Sequence, residues 1–404
     1  MMSKSNHGIN ISGKVEPGFE KVRMEFEKNF IIRGEVGAAF AVYQHGKKII
    51  DLWGGLRDQK KKLHWESDTV ALVCSSTKGI SAAVLAVAQD KGWIDYNKKV
   101  AKYWPEFAQR GKENITLREL FSHQAGLTTI DGGLDTKNMS NLDELSIRLA
   151  RQKPRWRSGD YQAYHAFTVG LYMNEIIRRT DPQKRTIGQV LQDEIVKPMN
   201  GAFYIGLPHD FDSKKRLAQI TTHSLIESLK SLPSMPQEVK RMFYHIFLPW
   251  TEMGRITLNV KIRSYKAMMD PHFLQIESPA ANGVGDARTM AQIYGSLAYP
   301  KADSIISEKT LELLKAPPTR PRLSSMDRVL GVESGFSLGF FKPVQAFRFG
   351  SDHTAFGCLG GGGSFAFADP SKGIGYAYVP NLFNDYLWND PRERALHKAL
   401  YECL

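Results

Sequence analysis

The sequence TVALVCSSTKGISAAVLAVAQDKG, residues 69–92, decides the fold. It begins with a short β-prone run at 69–73 and continues into an alanine-rich apolar segment at 81–91, which stops at a glycine, a common signal for the end of a helix. Between them stands an SxxK motif, with Ser75 and Lys78 three positions apart. Because residues three apart lie side by side on a helix, the Lys78 ammonium is expected to reach the Ser75 hydroxyl.

Such a pair is what a serine nucleophile needs. A serine hydroxyl attacks a carbonyl carbon only when a neighbouring base takes its proton, and lysine is such a base only where burial or nearby positive charge lowers its pKa. Free backbone N–H groups at the start of a helix also stabilise a developing oxyanion. The alternative that the residues leave open is a plain helix entry, in which Ser75 or Ser76 caps the helix.

Predicted strands occupy both ends of the chain, and predicted helices occupy its middle. The simplest assembly is an α+β fold in which both ends form one antiparallel sheet flanked by helices, while the middle forms a second, mainly helical lobe. A cleft between the two lobes is then the expected active site. Short helical stretches and five prolines leave 203–276 the least decipherable part. The predicted elements are helices at 19–30, 81–91, 116–123, 166–179 and 390–401 and strands at 37–43, 49–53, 336–341, 346–349, 364–368 and 373–379.

Composition is that of an ordinary globular protein. The chain has 404 residues, of which 42% are hydrophobic and 24% charged. Mean hydropathy is −0.34, and no apolar run approaches the roughly 18 residues of a membrane helix, so no membrane span is predicted. The first residues carry neither a secretory signal nor a transit peptide, and the three cysteines, Cys74, Cys358 and Cys403, are too few for a disulfide framework. A cytoplasmic protein is predicted.

The net charge of +12 does not indicate a nucleic-acid partner. The basic runs at 60–62, 151–157 and 214–216 are short and far apart in the sequence, and no nucleic-acid-binding motif accompanies them. The histidines and cysteines show no H-x-H, H-E-x-x-H or C-x-x-C spacing, so neither a metal nor another cofactor is predicted. The expected partner is a small-molecule substrate, and a homo-oligomer remains open.

A second serine competes for the role of nucleophile. Ser337 lies in the G-x-S-x-G sequence of 335–339, and Asp352 and His397 follow in the order of a Ser–Asp–His triad. A nucleophile elbow stands between a strand and a helix, whereas here β-like sequence continues as far as Pro343. A glycine-flanked strand is the simpler interpretation of this segment.

Several blocks in order along the chain resemble the serine β-lactamase and penicillin-binding-protein superfamily, and within it the class C β-lactamase-like esterase branch. The resemblance also extends to the beginning and end of the chain, and only 203–276 is weakly covered. The blocks are SSTKG at 75–79, DYNKKVAKYWPEF at 95–107, ITLRELFSHQAGL at 115–127, YHA at 164–166, SPAANGVGDA at 278–287 and FGCLGGGGSFAFADP at 356–370.

This resemblance implies one catalytic unit over 1–404, with an α/β subdomain from 1–73 and 285–404 and a mainly helical subdomain from 74–284. It implies that Ser75 is the acylated nucleophile, Lys78 its base and Tyr164 a proton relay to the leaving group. The backbone N–H groups of Ser75 and Gly361 would bind the oxyanion. Residues implied on the substrate side are His165, Cys358, Leu359 and Gly360. Packing alone gives another interpretation for two histidines, His123 and His165, as hydrogen-bonded neighbours of the site.

Two departures from the family pattern bear on the activity. Ala166 stands where many relatives carry asparagine, and its methyl group accepts no hydrogen bond from a lysine. The family's Lys/His–Thr/Ser–Gly element is here Cys358-Leu359-Gly360, which lacks the cation that helps to bind a substrate carboxylate. The sequence therefore predicts a serine hydrolase of esters or small amides with poor or absent β-lactamase activity. The alternative is a catalytically impaired scaffold or self-assembling partner.

Overall fold

The computed structural model describes residues 10–223, 237–262, 264–301, 304–384 and 386–404. Its main sheet combines strands from both ends of the chain. The strands are β1 (Ile11–Val15), β2 (Gly37–Gln44), β3 (Lys47–Asp58), β4 (Leu63–His64), β5 (Ala71–Leu72), β6 (Phe203–Tyr204), β7 (Thr221–Thr222), β8 (Val284–Gly285), β9 (Phe336–Ser337), β10 (Phe340–Phe341), β11 (Phe356–Leu359), β12 (Phe365–Asp369), β13 (Ile374–Pro380) and β14 (Leu382–Phe383).

In the described part of the chain, nine strands form the main sheet in the order β1-β3-β2-β13-β12-β11-β10-β9, with β4 paired to the end of β3. Every pairing in this sheet is antiparallel. The two ends of the chain meet where β2 pairs with β13, with Ala41 opposite Ala377. The prediction of one antiparallel sheet built from both ends is therefore confirmed. Smaller pairings join β5, β8 and β6, and β14 with β7.

Helices cover both faces of the sheet and fill the middle of the chain. The α-helices are Glu20–Ile32, Thr77–Asp90, Leu117–Phe121, Thr136–Ser140, Leu142–Arg151, Thr168–Thr180, Ile187–Leu191, Ser213–Arg216, Gln237–Ile246, Glu252–Asn259, Tyr265–Met268, Pro271–Gln275, Ala287–Ala298, Glu308–Lys315 and Pro391–Tyr401. Short 3₁₀ helices lie at Cys74–Ser76, Val100–Lys102, Pro105–Phe107 and Pro370–Lys372, and a π-helix at Gln192–Val196.

The alternation of side chains along β2 separates two hydrophobic cores. Ala39 and Ala41 face the core that contains helix Thr77–Asp90, which we call the central helix. Phe40 and Val42 face the other core, which the first helix, Glu20–Ile32, and the last helix share. Because successive strand residues point to opposite faces, one strand of small and large apolar residues contributes to both cores.

Helix Ala287–Ala298 lies directly on the sheet because two glycines allow close approach. A Cβ atom built at Gly375 in β13 would lie 2.0 Å from the backbone nitrogen of Gly295 in that helix. The central helix is enclosed more completely, since every residue of it from Thr77 to Ala88 is buried. Its alanines and glycine suit a position packed on all sides, and this packing fixes the helix entrance at Ser75.

The C-terminal strands differ from prediction in two places. The predicted strand at 336–341 is a tight hairpin of β9 and β10, turned by Leu338 and Gly339 with φ of 53° and 95°. The predicted strand at 346–349 is wrong, because Val344 and Phe347 form only an isolated bridge around a turn. The aromatic residues there pack as a loop instead, with the Phe347 ring centroid 5.1 Å from that of Trp388.

In the main sheet, β1, β4 and β11 were not predicted, since none carries a clear alternating pattern. The short strands β6, β7, β8 and β14 were not predicted either. No helix in the described residues is long and apolar enough to cross a membrane. The subdomain boundaries at 73/74 and 284/285 stay a prediction. The helical character of the middle is confirmed, although β6, β7 and β8 also lie within or at the edge of it.

Candidate active site

Ser75 and Lys78 lie side by side at the entrance of the central helix. The 3₁₀ turn Cys74–Ser76 leads into the helix, and Cys74 has a φ of 45°. A non-glycine residue stays in this left-handed region only where the surrounding structure imposes it, which is frequent at active sites. The Lys78 Nζ lies 3.1 Å from the Ser75 Oγ. The contact that the SxxK spacing predicts is therefore present.

The two partners differ in their access to solvent. Ser75 is partly exposed, whereas Lys78 is 1% exposed. The Lys78 Nζ also donates to the backbone carbonyls of Ala166 and Ala280, both at 2.7 Å. Burial lowers the pKa of Lys78 to about 7, because the charged form loses its hydration. The uncharged amine is therefore accessible near neutral pH.

Ala166 takes part in the site through its backbone. Its methyl group accepts no hydrogen bond, as predicted, yet its carbonyl oxygen is one of the acceptors that hold Lys78. Lys78 therefore stays anchored although alanine stands where the family pattern has asparagine. Sequence reasoning missed this acceptor and the Ala280 carbonyl, since a backbone group carries no residue signature.

Tyr164 completes the group around Ser75. The Ser75 side chain is near enough to its phenol to lower the pKa of that phenol, and the Lys78 Nζ lies 4.7 Å from the centroid of its ring. The ring stacks on Phe336, with centroids 6.2 Å apart and planes 18° apart. Burial raises the pKa of Tyr164 well above its ordinary value, and the nearby Ser75 side chain opposes that rise. The phenol therefore keeps its proton at neutral pH.

A buried carboxylate fixes the backbone at Tyr164. The Tyr164 backbone N–H donates to Asp327 Oδ1 at 3.2 Å, and the same oxygen accepts from the backbone N–H groups of Val329 and Leu330 at 2.8 and 2.9 Å. Sequence reasoning missed Asp327. The only local signal is an aspartate at the head of a turn, which predicts a loop but not its neighbour in space.

Ser76 and Ser364 link the start of the central helix to the sheet through hydrogen bonds. The Ser76 hydroxyl reaches the Cys358 carbonyl at 3.2 Å and the Ser364 hydroxyl at 3.0 Å, and Ser364 Oγ donates to the Val73 carbonyl at 2.8 Å. These bonds cross between β11 and the turn that carries Ser75. Ser76 therefore anchors the start of the central helix to the sheet. It does not cap the helix, since its side chain makes no capping hydrogen bond.

The two backbone N–H groups predicted for the oxyanion are unoccupied by protein acceptors. Among the hydrogen bonds of the described residues, neither the Ser75 nor the Gly361 amide has a partner. Gly361 lies against the turn before Ser75, since a Cβ built on it would be 3.9 Å from the Cys74 Cβ. Free amides beside a partly exposed hydroxyl are suited to an incoming carbonyl oxygen.

The predicted substrate-side residues do not all lie on an accessible face. His165 is fully buried, with Nε2 accepting from the Leu127 N–H at 3.0 Å and Nδ1 2.6 Å from the Ala163 carbonyl. Both ring nitrogens are already bonded inside the protein, which argues against the predicted role in substrate binding. The interpretation as a packed neighbour fits, and burial lowers the pKa of His165 to about 4.

His123 is a similar case beside it. It is buried, its Nδ1 accepts from the His165 backbone N–H at 3.0 Å, and burial lowers its pKa well below the usual value. Its ring centroid lies 5.2 Å from that of Tyr164. Both histidines therefore pack behind the tyrosine as neutral groups.

The Cys358-Leu359-Gly360 element lies next to Ser75. The Cys358 thiol is buried and donates to the Ser75 backbone carbonyl at 3.0 Å, so it too faces inward rather than toward a substrate. Leu359 is partly exposed, and together with Gly360 it lines a small cavity with the rings of Phe349 and Phe365. The accessible part of this element is thus apolar.

The cysteines offer no further chemistry at this site. Cys74, Cys358 and Cys403 are free thiols, and burial raises the pKa of Cys74 and of Cys358 to about 12. Both thiols therefore stay protonated at neutral pH, in the unreactive form. Within the described ranges, no group of three or more His, Cys, Asp or Glu side chains is placed to hold a metal ion.

The competing serine is not part of a triad. Ser337 is buried in β9, and its hydroxyl has no hydrogen-bond partner among the described residues. Asp352 is exposed and accepts from the Thr354 backbone N–H at 2.7 Å, while the His397 ring packs 4.6 Å from that of Tyr401. The three side chains do not form a chain of hydrogen bonds, and the glycine-flanked strand is the correct interpretation.

Comparison with known proteins places this geometry in context. A family profile described as Beta-lactamase matches residues 23–399. The protein named Esterase/beta-lactamase LipL, from Mycobacterium tuberculosis (strain ATCC 25618 / H37Rv), is 30% identical over 375 residues, which cover 93% of this chain and 83% of LipL.

Solved structures give the same picture. A family VIII carboxylesterase superposes with a TM-score of 0.82 at 33% identity, covering 98% of this chain and 100% of that one. EstA from Arthrobacter nitroguajacolicus Rue61a superposes with a TM-score of 0.78 at 28% identity, covering 96% and 98% of the two chains. Both likenesses extend over nearly the whole chain, and so include the sheet, the central helix and the residues around Ser75.

Proposed function

Since this chain belongs to the beta-lactamase family and is a hydrolase, we propose that it cleaves esters and small amides through an acyl-enzyme on Ser75, with poor or absent β-lactamase activity. Family membership agrees with the resemblance that the sequence motifs indicate. The esterase and carboxylesterase relatives support the choice of ester bonds. The single observation that carries the proposed mechanism is the hydrogen bonding of the Lys78 Nζ.

The Lys78 Nζ has three hydrogen-bond partners, and the third of them is the proposed nucleophile, Ser75. Two of its hydrogen-bond directions end on the carbonyls of Ala166 and Ala280, and the remaining partner is the Ser75 Oγ. In the uncharged amine, two N–H groups serve the carbonyls, and the lone pair faces the serine. The amine then accepts the hydroxyl proton as Oγ attacks, so that the new C–O bond and the new N–H bond form together.

Proton return is the role we assign to Tyr164. Its phenol, which is protonated at neutral pH, lies beside the Ser75 side chain, and we place the leaving group next to it. It donates its proton to the departing alcohol or amine and recovers one from the Lys78 ammonium. The N–H groups of Ser75 and Gly361 stabilise the tetrahedral oxyanion, and water then attacks the acyl-enzyme by the same steps in reverse.

The substrate preference follows from the missing cation. Where the family pattern has Lys or His, Cys358 is an uncharged thiol that faces inward, and Leu359 is apolar. Binding a carboxylate at such a place removes its water without supplying an opposite charge, which is unfavourable. Esters with neutral, apolar acyl groups are therefore the proposed substrates, and β-lactams with their obligatory carboxylate are not.

The proposal is tested with p-nitrophenyl butyrate and the β-lactam nitrocefin. Purified wild type is expected to release nitrophenol with saturation kinetics and to hydrolyse nitrocefin poorly. Ser75→Ala is expected to lower ester turnover by about 10⁴-fold. A fluorophosphonate probe should label Ser75, as identified by peptide mapping.

Ser337→Ala is the matched control and should retain activity, since the Ser337 hydroxyl has no hydrogen-bond partner among the described residues. Equal turnover by wild type and Ser75→Ala would refute the mechanism. Failure of the probe to label a folded protein would instead favour the impaired scaffold, whose self-assembly size-exclusion chromatography would then examine.

A further inference from the structure

Two basic runs that are far apart in the sequence meet at one cavity. The turn after β3 carries Lys60 and Lys61, and the short helix Ser213–Arg216 carries Lys214. All three line a cavity of about 660 Å³, which we call the basic cavity, together with Arg57 at the end of β3. None of these residues belongs to the group around Ser75.

Positive charge dominates the polar wall of the basic cavity. The four cations named above share the wall with one carboxylate, Asp58. That carboxylate is 6% exposed and is used locally, because its Oδ1 accepts the Lys61 backbone N–H at 3.0 Å. In the described part of the chain, Lys60 and Lys214 form no ion pair. Lys61 is paired with Asp58, with its Nζ 4.0 Å from Oδ2, and the remaining cations leave an excess of positive charge that attracts anions.

Arg57 presents an unused hydrogen-bonding edge. Its Nη1 donates to the Lys214 carbonyl at 3.0 Å, which ties the two basic segments together. Its Nε is buried without a hydrogen-bond partner, and its Nη2 has none among the described residues. Nε and Nη2 form the edge of a guanidinium that binds two oxygens of one phosphate or carboxylate side by side. A buried donor without an acceptor is costly, so a ligand oxygen that reaches this edge would be favoured.

The floor of the basic cavity is apolar. Leu207, Leu217 and Leu274 line it and are each at most 6% exposed. The same leucines pack in one hydrophobic cluster with Cys74, the residue before Ser75. The cavity thus combines a cationic wall with an apolar floor, and a ligand that fills it needs both an anionic group and a hydrocarbon part.

We propose that the basic cavity binds a phosphate monoester with an apolar group. A dianionic phosphate compensates more of the positive charge of the four cations than a monoanionic carboxylate does, and it can bind the free arginine edge through two oxygens. The hydrocarbon part lies on the three leucines. A soluble alkyl phosphate and a phosphatidic acid headgroup share this chemistry. This inference concerns a site apart from Ser75 and does not depend on the proposed hydrolysis.

Calorimetric titration of the full chain with octyl phosphate tests the proposal. We expect one saturable site, with an affinity at least about tenfold higher than for inorganic phosphate or for octyl glucoside, which has the same alkyl chain without charge. Affinity should fall with rising salt. Ser75→Ala should bind as wild type does, so failure of the hydrolytic mechanism would not be mistaken for failure here.

Variants of the cavity wall identify the site. Arg57→Gln is expected to weaken octyl phosphate binding by about tenfold or more. The double variant Lys60→Gln/Lys214→Gln, which changes only exposed side chains, should have a similar effect and guards against misfolding of the arginine variant. Lys372→Gln, an exposed lysine outside the cavity, is the matched control and should bind normally.

Co-sedimentation separates the two ligand sources. Binding to phosphatidylcholine vesicles only when they contain phosphatidic acid, with loss in Arg57→Gln, would identify a lipid headgroup, and octyl phosphate binding without co-sedimentation a soluble ester. Absence of saturable octyl phosphate binding would overturn the proposal. Equal affinity in wild type, Arg57→Gln and the double lysine variant would overturn it as well.

Discussion

Two buried lysines, Lys78 and Lys342, have nearly the same environment but different third partners. Lys342 is 0% exposed, and its Nζ donates to the backbone carbonyls of Leu314 and Thr354 at 3.0 Å and of Lys315 at 3.4 Å. Burial lowers its pKa to about 7, as for Lys78. Lys78, however, gives its third contact to a serine hydroxyl that solvent reaches.

The comparison shows that a lowered pKa is not by itself a sign of catalysis. Lys112 supports this point, since it is fully buried, donates to three carbonyls and has its pKa lowered by burial to about 8. A lysine bonded only to carbonyls has no proton to accept and no substrate within reach. The distinguishing feature is a partner that has a proton to give and is accessible to substrate.

The largest expected difference is in turnover after removal of each amine. Lys78→Met should lower kcat for p-nitrophenyl butyrate by about 10³-fold, because Ser75 then loses its base. Lys342→Met should leave kcat within about twofold, since this amine does not contact Ser75. Circular dichroism checks that both variants fold. Comparable losses of kcat in the two variants would contradict the comparison. They would indicate that both substitutions act by destabilising the fold.

Replacement of Tyr164 gives a smaller and more specific loss. Tyr164→Phe should lower kcat by about 10²-fold for an alkyl ester, whose alcohol needs a proton to leave. The loss should be smaller for p-nitrophenyl butyrate, because nitrophenolate leaves without one. Phe336→Leu, which keeps the phenol and changes a ring packed against it, is the control. Equal losses on both esters would exclude proton donation by Tyr164.

The sequence predicts residue identities here better than backbone contacts. Ser75 and Lys78 were singled out by their spacing and Tyr164 by the family resemblance, and the structure brings the three side chains together. The sheet was predicted because strands of β-prone residues lie at both ends. The acceptors at Ala166 and Ala280 were missed because any residue has a carbonyl. Asp327 was missed because its partner is 163 residues away.

The sequence also does not indicate which lysines are buried. Nothing in the local sequence distinguishes Lys342 from the exposed lysines, since its acceptors at 314, 315 and 354 are brought together only by the folded chain. The same reason explains the basic cavity, where runs at 60–62 and 214–216 looked like separate solvated segments. Spatial neighbours that are distant in sequence leave no periodicity to detect.

The pH dependence of turnover distinguishes the two lysines next. Lys78 accepts a proton only when uncharged, so kcat/KM should rise with pH up to about 7 and fall by about tenfold for each pH unit below it. Lys342→Met should keep this acidic limb unchanged, because the titrating amine is still present. The measurement is a pH–rate profile between pH 5 and 9 with p-nitrophenyl butyrate. If the apparent pKa of the acidic limb shifted in Lys342→Met, the limb would reflect titration of Lys342 rather than of Lys78.

The smallest effect is on the pH dependence of stability. Lys78 has a similar pKa and contributes too, but the test uses Lys342, which lies outside the proposed site. Its folded-state pKa of about 7 lies below the ordinary value of 10.5, so between these values the unfolded chain binds a proton that the folded chain does not. The free energy of unfolding of the wild type therefore rises with pH in that window, by at most about 1.4 kcal/mol per pH unit from this group. Below pH 7 both states are protonated, and the contribution is constant.

In urea unfolding, Lys342→Met should show a shallower rise of the free energy of unfolding between pH 7 and 9. Lys372→Met, which changes an exposed lysine, should follow the wild type. Parallel curves for wild type and Lys342→Met would mean that Lys342 stays charged when buried, and that three carbonyls are enough to hold an ammonium. The uncharged state of Lys78 would then need its own explanation in the serine beside it.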